Sequence, residues 1–269
     1  MDTEQDSDRG AGRVAPTTAV ENPTISSQLA HRTIRAFTEE PVGEDVMTSL
    51  LDVARHAPTS SFYQQTTILR VVDPAIRHEV FLSSGQPYVD GTRGELLVFV
   101  VDLHRNARIR EEAGVDPEPL GRTTLFLEGV EDTLLAAQNM VVAAESLGLG
   151  TVYLGSIGGD PRRVIDALRL PRHTYPLVGL LVGHADQEPQ FKPRLPAAIT
   201  TAVDTYPEVE DYSTALADYD RVVQTYYDLR DANRRVDSFT HQVRTKPGVG
   251  RAEQAPVLEV LHEQGLALS

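Results

Sequence analysis

The longest apolar run, ELLVFVVDL at residues 95–103, shows no alternation with polar residues, which predicts a strand buried on both faces. PLVGLLVGHA (176–185) reads as a second buried strand, TTILRVVD (66–73) as a β-branched one, and TVYLGS (151–156) as a short strand running into a turn. Helical spacing recurs over 43–57, where Val46, Leu50, Val53, Ala54 and Ala57 share a face and Pro58 ends the run. Residues 130–147 are apolar almost all round and stop at Gly148 and Gly150, predicting a long buried helix. Asp160 and Pro161 form an N-cap and first-turn pair for a helix through about Leu170. Further helices are predicted over 24–37, 211–230, 238–245 and 255–266, and a charged loop over 104–128, which contains Pro117 and Pro119. No internal repeat is present.

This order predicts an α+β or mixed α/β fold with one sheet packed on a central helix. A helix apolar on every side needs more cover than one sheet supplies, so a homodimer is expected. The 269 residues suffice for a substantial core. Residues 1–20 are polar and acidic and read as a disordered leader. The segment 130–150 carries Glu131, Asp132, Gln138, Asn139 and Glu145, a poor bilayer span. With no cysteine, thiolate chemistry and disulfides are excluded, and a cytoplasmic location is expected.

The formal net charge of −14 argues against nucleic-acid or anionic-membrane partners. Against that background HRTIRAF (31–37) stands out. A helical turn there would set His31, Arg32 and Arg35 on one arc of about 100°, opposite Ile34 and Phe37. Such an arc suits a phosphate, or it is a solvated surface paired with Glu39, Glu40 or Asp45. All but two of the 25 basic residues are arginine; the lysines are Lys192 and Lys246. FKPRLP (191–196) is an extended segment that points Lys192 and Arg194 the same way.

Nucleophile elbows, Walker loops, metal-ligand spacings and a Rossmann fingerprint in the right context are all missing from the sequence. Any reaction is therefore expected to reside on a cofactor. PTSSFYQQ (58–65) offers hydroxyls and amides, GQPYV (85–89) offers Gln86, and VYLGS (152–156) brings backbone at Gly155 close to a flat ligand.

Taken together, HRTIRAFTEEPV, SSFYQQ, GQPYV, AAQNMVVAAESLGLGTVYLGSI, LRLPRHTYPLVGLLVG and KPRLP, in that order, resemble the nitroreductase superfamily, in its NADPH-dependent nitroreductase and flavin reductase branch. The resemblance runs from about residue 25 to the C-terminus. It implies an α+β, mainly antiparallel sheet around the long helix, in one FMN-binding domain over 21–269 with a helical excursion at about 205–250 and a C-terminal arm. It also implies a homodimer with FMN at the interface.

By the same resemblance, His31, Arg32, Thr33, Lys192 and Arg194 hold the flavin phosphate, and Arg35 reaches the N1/O2 side of the ring. Thr59, Ser60, Ser61 and Gln86 add polar contacts, and Tyr153, Gly155 and Ser156 line the ring. Arg230, Arg234 and Arg235 correspond to a cluster for the 2′-phosphate of NADPH. No side chain is implied as acid, base or nucleophile: hydride passes from NADPH to flavin N5 and then to a nitroaromatic, quinone or flavin, in ping-pong fashion. Alternatives are an FMN reductase feeding a monooxygenase and a flavin store or sensor. Two positions differ from the family pattern: Ser156, where a second glycine is common, and Ala255, where some members carry arginine before the proline matching Pro256.

Overall fold

The computed structural model describes residues 18–225, 237–247 and 254–269. Its helices are α1 (Pro23–Leu29), α2 (Glu44–Arg55), α3 (Pro74–Ser84), α4 (His104–Glu112), α5 (Thr123–Ser146), α6 (Pro161–Leu168), α7 (Ala197–Thr200), α8 (Tyr212–Ala215), α9 (Ala217–Thr225), α10 (Phe239–Thr245) and α11 (Val257–Glu263). The strands are β1 (Thr66–Val71), β2 (Glu95–Asp102), β3 (Gly150–Leu154) and β4 (Thr174–Gly183). Contacts group the chain into two compact units, Met1–Arg32 with Glu188–Gly250, and Thr33–Gln187 with Arg251–Ser269.

The second unit holds the sheet, in the order β1-β2-β4-β3 with every neighbouring pair antiparallel. As the unbroken apolar run predicts, both faces of β2 are covered. Leu97 and Phe99 point into a core built with α2 and α5, through Met47, Leu50, Ala137 and Met140. Leu96, Val98 and Val100 point the other way, to Val80 of α3 and Val164 of α6. The period-two alternation of a strand thus feeds two separate cores. A third cluster joins Val101 and Leu103 to Val260, Leu261 and Leu266 of the C-terminal segment, with α11 tied to α6 by Arg162, which bonds Glu259 and Glu263.

Several elements differ from the sequence expectation. Helix α1 stops at Leu29, and residues 31–37 run extended: Thr33 bridges Thr151 in parallel and Phe37 bridges Ala185. Here tertiary packing overrides local propensity. Ile34 and Phe37 are buried against strand ends made of glycine; a Cβ on Gly150 would lie 2.7 Å from Ile34 Cγ1, and one on Gly183 would lie 2.9 Å from Phe37 Cδ1. Helix α3 is not announced by hydrophobic spacing, although Asp73 caps it by accepting from Ala75 N–H at 2.8 Å and left-handed Gly85 ends it. The segment 104–128 is not a loop. Asp102 accepts from the His104 and Arg105 amides at the start of α4, and α5 begins at Thr123 rather than 130.

Helix α5 buries one face only. Leu134 and Leu135 are each 46% exposed, and Leu127 and Gln138 lie on the same side.

In the first unit, α1 and α7–α10 are short. The predicted helix at 211–230 is divided at Leu216 into α8 and α9, and its continuation past Thr225 lies outside the described residues. Asp220 links α9 to α10 by accepting from Thr240 N–H at 3.0 Å.

Phe99 is fully buried where the sheet meets α5. Phe99→Ala is expected to lower the unfolding free energy by about 3–5 kcal/mol. Urea titration with an unchanged slope would attribute that loss to the folded state; a change under about 1 kcal/mol would mean that the two-sided burial of β2 contributes little.

Candidate functional site

Polar groups gather where β3 ends. Tyr153 faces outward, and its hydroxyl donates to Gln138 Oε1 of α5 at 3.1 Å. Burial of the ring, with the Glu145 carboxylate nearby, raises the phenol pKa well above its ordinary value, so Tyr153 is a neutral donor at physiological pH. Beyond it the chain enters the tight turn Gly155–Gly159. A Cβ on Gly155 would meet nothing within 4 Å, so packing within the protein does not require glycine there, and the surface in front of it is open.

That turn is fastened to α3. The buried Ser83 hydroxyl donates to Ile157 O at 2.6 Å and accepts from Asp160 N–H at 3.1 Å. Gln86 follows just past the end of α3, with its N–H on Ser84 Oγ. The loop after it is organised by Arg77, which is 6% exposed and donates to the carbonyls of Val89, Arg93 and Gly94 at 2.7–2.8 Å. Burial lowers the Arg77 pKa from the usual arginine value.

At the start of β3, Ile34 N–H donates to Thr151 O at 2.9 Å, fixing Thr33 and Arg35 beside the strand. Arg35 is half-buried, and its Nε is buried without a hydrogen-bond partner. An orphaned guanidinium N–H is costly unless a ligand acceptor meets it.

In the first unit, Arg32 donates to Glu188 Oε1 at 3.2 Å and Pro189 O at 3.3 Å, and its guanidinium lies 4.8 Å from the centre of the Phe191 ring. Phe191 leads directly into Lys192 and Arg194. Both are exposed, while Phe191, Pro193 and Leu195 are partly covered, which matches the expected alternation. Arg194 bonds back to Lys192 O at 2.8 Å. Arg32 and the 192–194 segment are therefore neighbours, and His31 adjoins Arg32. The helical arc expected for His31, Arg32 and Arg35 does not exist, because the chain there is extended. Glu39 pairs with Arg93, and Glu40 lies 3.7 Å from His184; the carboxylate on Arg32 is Glu188.

Thr59, Ser60 and Ser61 lie elsewhere. They precede β1, which forms the opposite edge of the sheet from β3, three strand spacings or about 14 Å across. One chain therefore does not bring them to Tyr153 and Gly155. Beside their loop is a cavity of about 620 Å³ lined by Thr59, Gln64, Arg105 and Asp132, among others. Arg230, Arg234 and Arg235 fall outside the described residues. Sequence reasoning missed Arg77, Ser83 and Asp132. The only signal for Asp132 was a carboxylate in a mostly apolar helix, one it shares with Glu131 and Glu145.

Among the described residues no cluster of three or more His, Asp or Glu could hold a metal, and no helix is long and apolar enough to cross a membrane.

Residues 29–184 match the Nitroreductase family and residues 192–269 match the Nitroreductase family, C-terminal domain. The chain is 37% identical over 247 residues to the oxygen-insensitive NADPH nitroreductase of Salmonella typhimurium, covering 91% of this chain and 99% of that one. It is 37% identical over 225 residues to the FMN reductase (NADPH) of Bacillus subtilis, covering 82% and 90% of the two chains. The solved NADPH:FMN oxidoreductase from Vibrio harveyi, complexed with NAD+, superposes with a TM-score of 0.79 at 34% identity, over 92% of this chain and all of that one. The chain belongs to the nitroreductase family.

Gly150→Ala would push Ile34 and the Thr33–Arg35 segment off β3. We expect it to cost about 1–3 kcal/mol of stability, as overpacking does. Hydrogen exchange should show the amides of 33–37 deprotected ahead of those of β2; uniform loss across the sheet would argue against a local displacement.

Proposed function

We propose that this chain is an FMN-dependent oxidoreductase that takes electrons from NADPH and delivers them to nitroaromatic, quinone or flavin acceptors. The observation that carries the reading is the open, glycine-floored surface at the end of β3, flanked by Tyr153, Ser156 and the Gln86 loop, with a buried, unpartnered Arg35 Nε on the adjoining segment. These features fit a flat, hydrogen-bonding, partly anionic ligand. Bound FMN would supply a hydride-accepting, two-electron centre between NADPH and the acceptor.

The protein's own residues bind and orient. His31, Arg32, Thr33, Lys192 and Arg194 neutralise the phosphate, a planar guanidinium suiting its oxygens. Arg35, with its unpartnered Nε, would place positive charge beside bound FMN and so favour its uptake of electrons. Gln86 both donates and accepts at that edge. The Tyr153 phenol remains protonated and keeps its hydrogen bond to Gln138, holding the wall of the site in place. Arg230, Arg234 and Arg235 are assigned to the 2′-phosphate of NADPH.

We also assign a homodimer, placed in the cytoplasm. Two observations support association. The face of α5 bearing Leu127, Leu134 and Leu135 is exposed in a single chain. The hydroxyl loop at Thr59–Ser61 lies at the sheet edge remote from β3, which fits a site that the same loop of a second copy completes.

The purified protein should show a flavin absorption band that bleaches within the mixing time when NADPH is added anaerobically. Colourless protein that takes up no FMN would refute the reading, and a band that survives NADPH would reduce the protein to a flavin carrier.

Glu188 occupies Arg32, where the phosphate is assigned. Because Glu188 is largely exposed, Glu188→Gln should tighten FMN binding only about two- to fivefold. Weaker binding in a fluorescence titration would contradict the competition.

A further inference from the structure

The loop between α2 and β1 is held in a conformation that its residues do not favour. Ser61, Phe62 and Gln64 have φ of 52°, 59° and 50°, and none is glycine. Left-handed backbone is unfavourable for such residues, so the surroundings must impose it. Apolar burial does not: Phe62 is 81% exposed, and Ser61, Tyr63 and Gln64 are exposed as well.

What does reach the loop is a carboxylate from the middle of α5. Asp132 is 1% exposed. Its Oδ1 accepts from Ser60 N–H at 2.8 Å, and its Oδ2 accepts from Gln65 N–H at 3.4 Å. The two oxygens therefore hold the residues on either side of the left-handed stretch. The chain enters the core directly behind it, where the Gln65 side chain is fully buried with neither amide atom bonded. Outside the anchor, Arg105 donates to Gln64 O at 3.1 Å and Asn106 to Tyr63 O at 3.3 Å.

A buried carboxylate without a cationic partner is expensive to retain, and none of the ion pairs among the described residues involves Asp132. The apolar face of α5 offers many ways to fill that position without a charge.

We propose that Asp132 is a positioning residue that preforms the 60–65 loop, so that the hydroxyls of Thr59, Ser60 and Ser61 are presented to the flavin without being ordered by it. This rests on the FMN reading above. An ordered loop loses no further conformational freedom on binding, so its contacts appear in full as affinity. Asp132→Asn preserves shape but turns an amide NH2 toward either Ser60 N–H or Gln65 N–H, donor against donor.

The test uses the full-length chain stripped of FMN, with FMN itself as probe. Hydrogen exchange should find the Ser60 amide of the wild type as protected as the amides of β1 before FMN is added. Asp132→Asn should release Ser60 and leave β1 protected. It should also raise the FMN dissociation constant about fivefold or more, the effect of an unmet buried donor. Thr133→Val is the control: it removes the neighbouring Thr133–Thr66 hydroxyl contact of 3.0 Å without touching the loop backbone. It should change the melting temperature while altering FMN affinity less than about twofold.

Free exchange of Ser60 in the FMN-free wild type overturns the proposal. So does an Asp132→Asn protein whose loss of FMN affinity merely tracks its loss of melting temperature, as Thr133→Val calibrates. If the wild type binds no FMN, the flavin reading fails, while the exchange data still show whether Asp132 orders the loop. The wild-type exchange result stands even if Asp132→Asn does not fold.

Discussion

Strands β2 and β4 have no polar face, and the rest of the architecture follows from covering them. Leu97 and Phe99 require α2 and α5 on one side; Leu96, Val98 and Val100 require α3 and α6 on the other. With both faces closed, a ligand can reach the sheet only at its edges and strand ends. The open surface at Gly155 is such an end, and the turn that shapes it is tied through Ser83 to the helix covering that face. The site is thus a by-product of how a two-faced apolar strand pair must be roofed.

Close approach sets the second boundary. Gly150 and Gly183 lack the side chains that would hold the chain off, so the 33–37 segment lies across the strand ends with Ile34 and Phe37 buried. This brings Thr33 to β3 and leaves Arg35 half-buried. The same basic residues placed on a free helix would have been solvated surface.

Buried charge is used in the same way in two separate loops. Arg77 gives its donors to backbone carbonyls of the loop after Gln86, and Asp132 takes backbone N–H groups from the loop containing Ser60 and Ser61. Neither ion is neutralised by an opposite side-chain charge in direct contact. Each converts the cost of its own burial into a fixed shape for an irregular segment, which regular hydrogen bonding could not provide.

The sequence by itself determined the four strands, α2, the core of α5 and α6, because unbroken apolar runs, helical spacing and the Asp160–Pro161 start signal are local. It also carried the family resemblance, since motif order survives without any knowledge of contacts. Tertiary structure decided the rest. HRTIRAF has helical spacing of its charges, yet runs extended because glycine-ended strands accept Ile34 and Phe37. The charge-rich 104–112 segment becomes α4 because Asp102 satisfies its first amides. The roles of Arg77 and Asp132 depend on partners 12 to 72 residues away in the chain. The separation of Thr59–Ser61 from Tyr153 depends on strand order, which no local pattern records. Local patterns fix which residues are buried; only the three-dimensional pairing fixes what each buried residue touches.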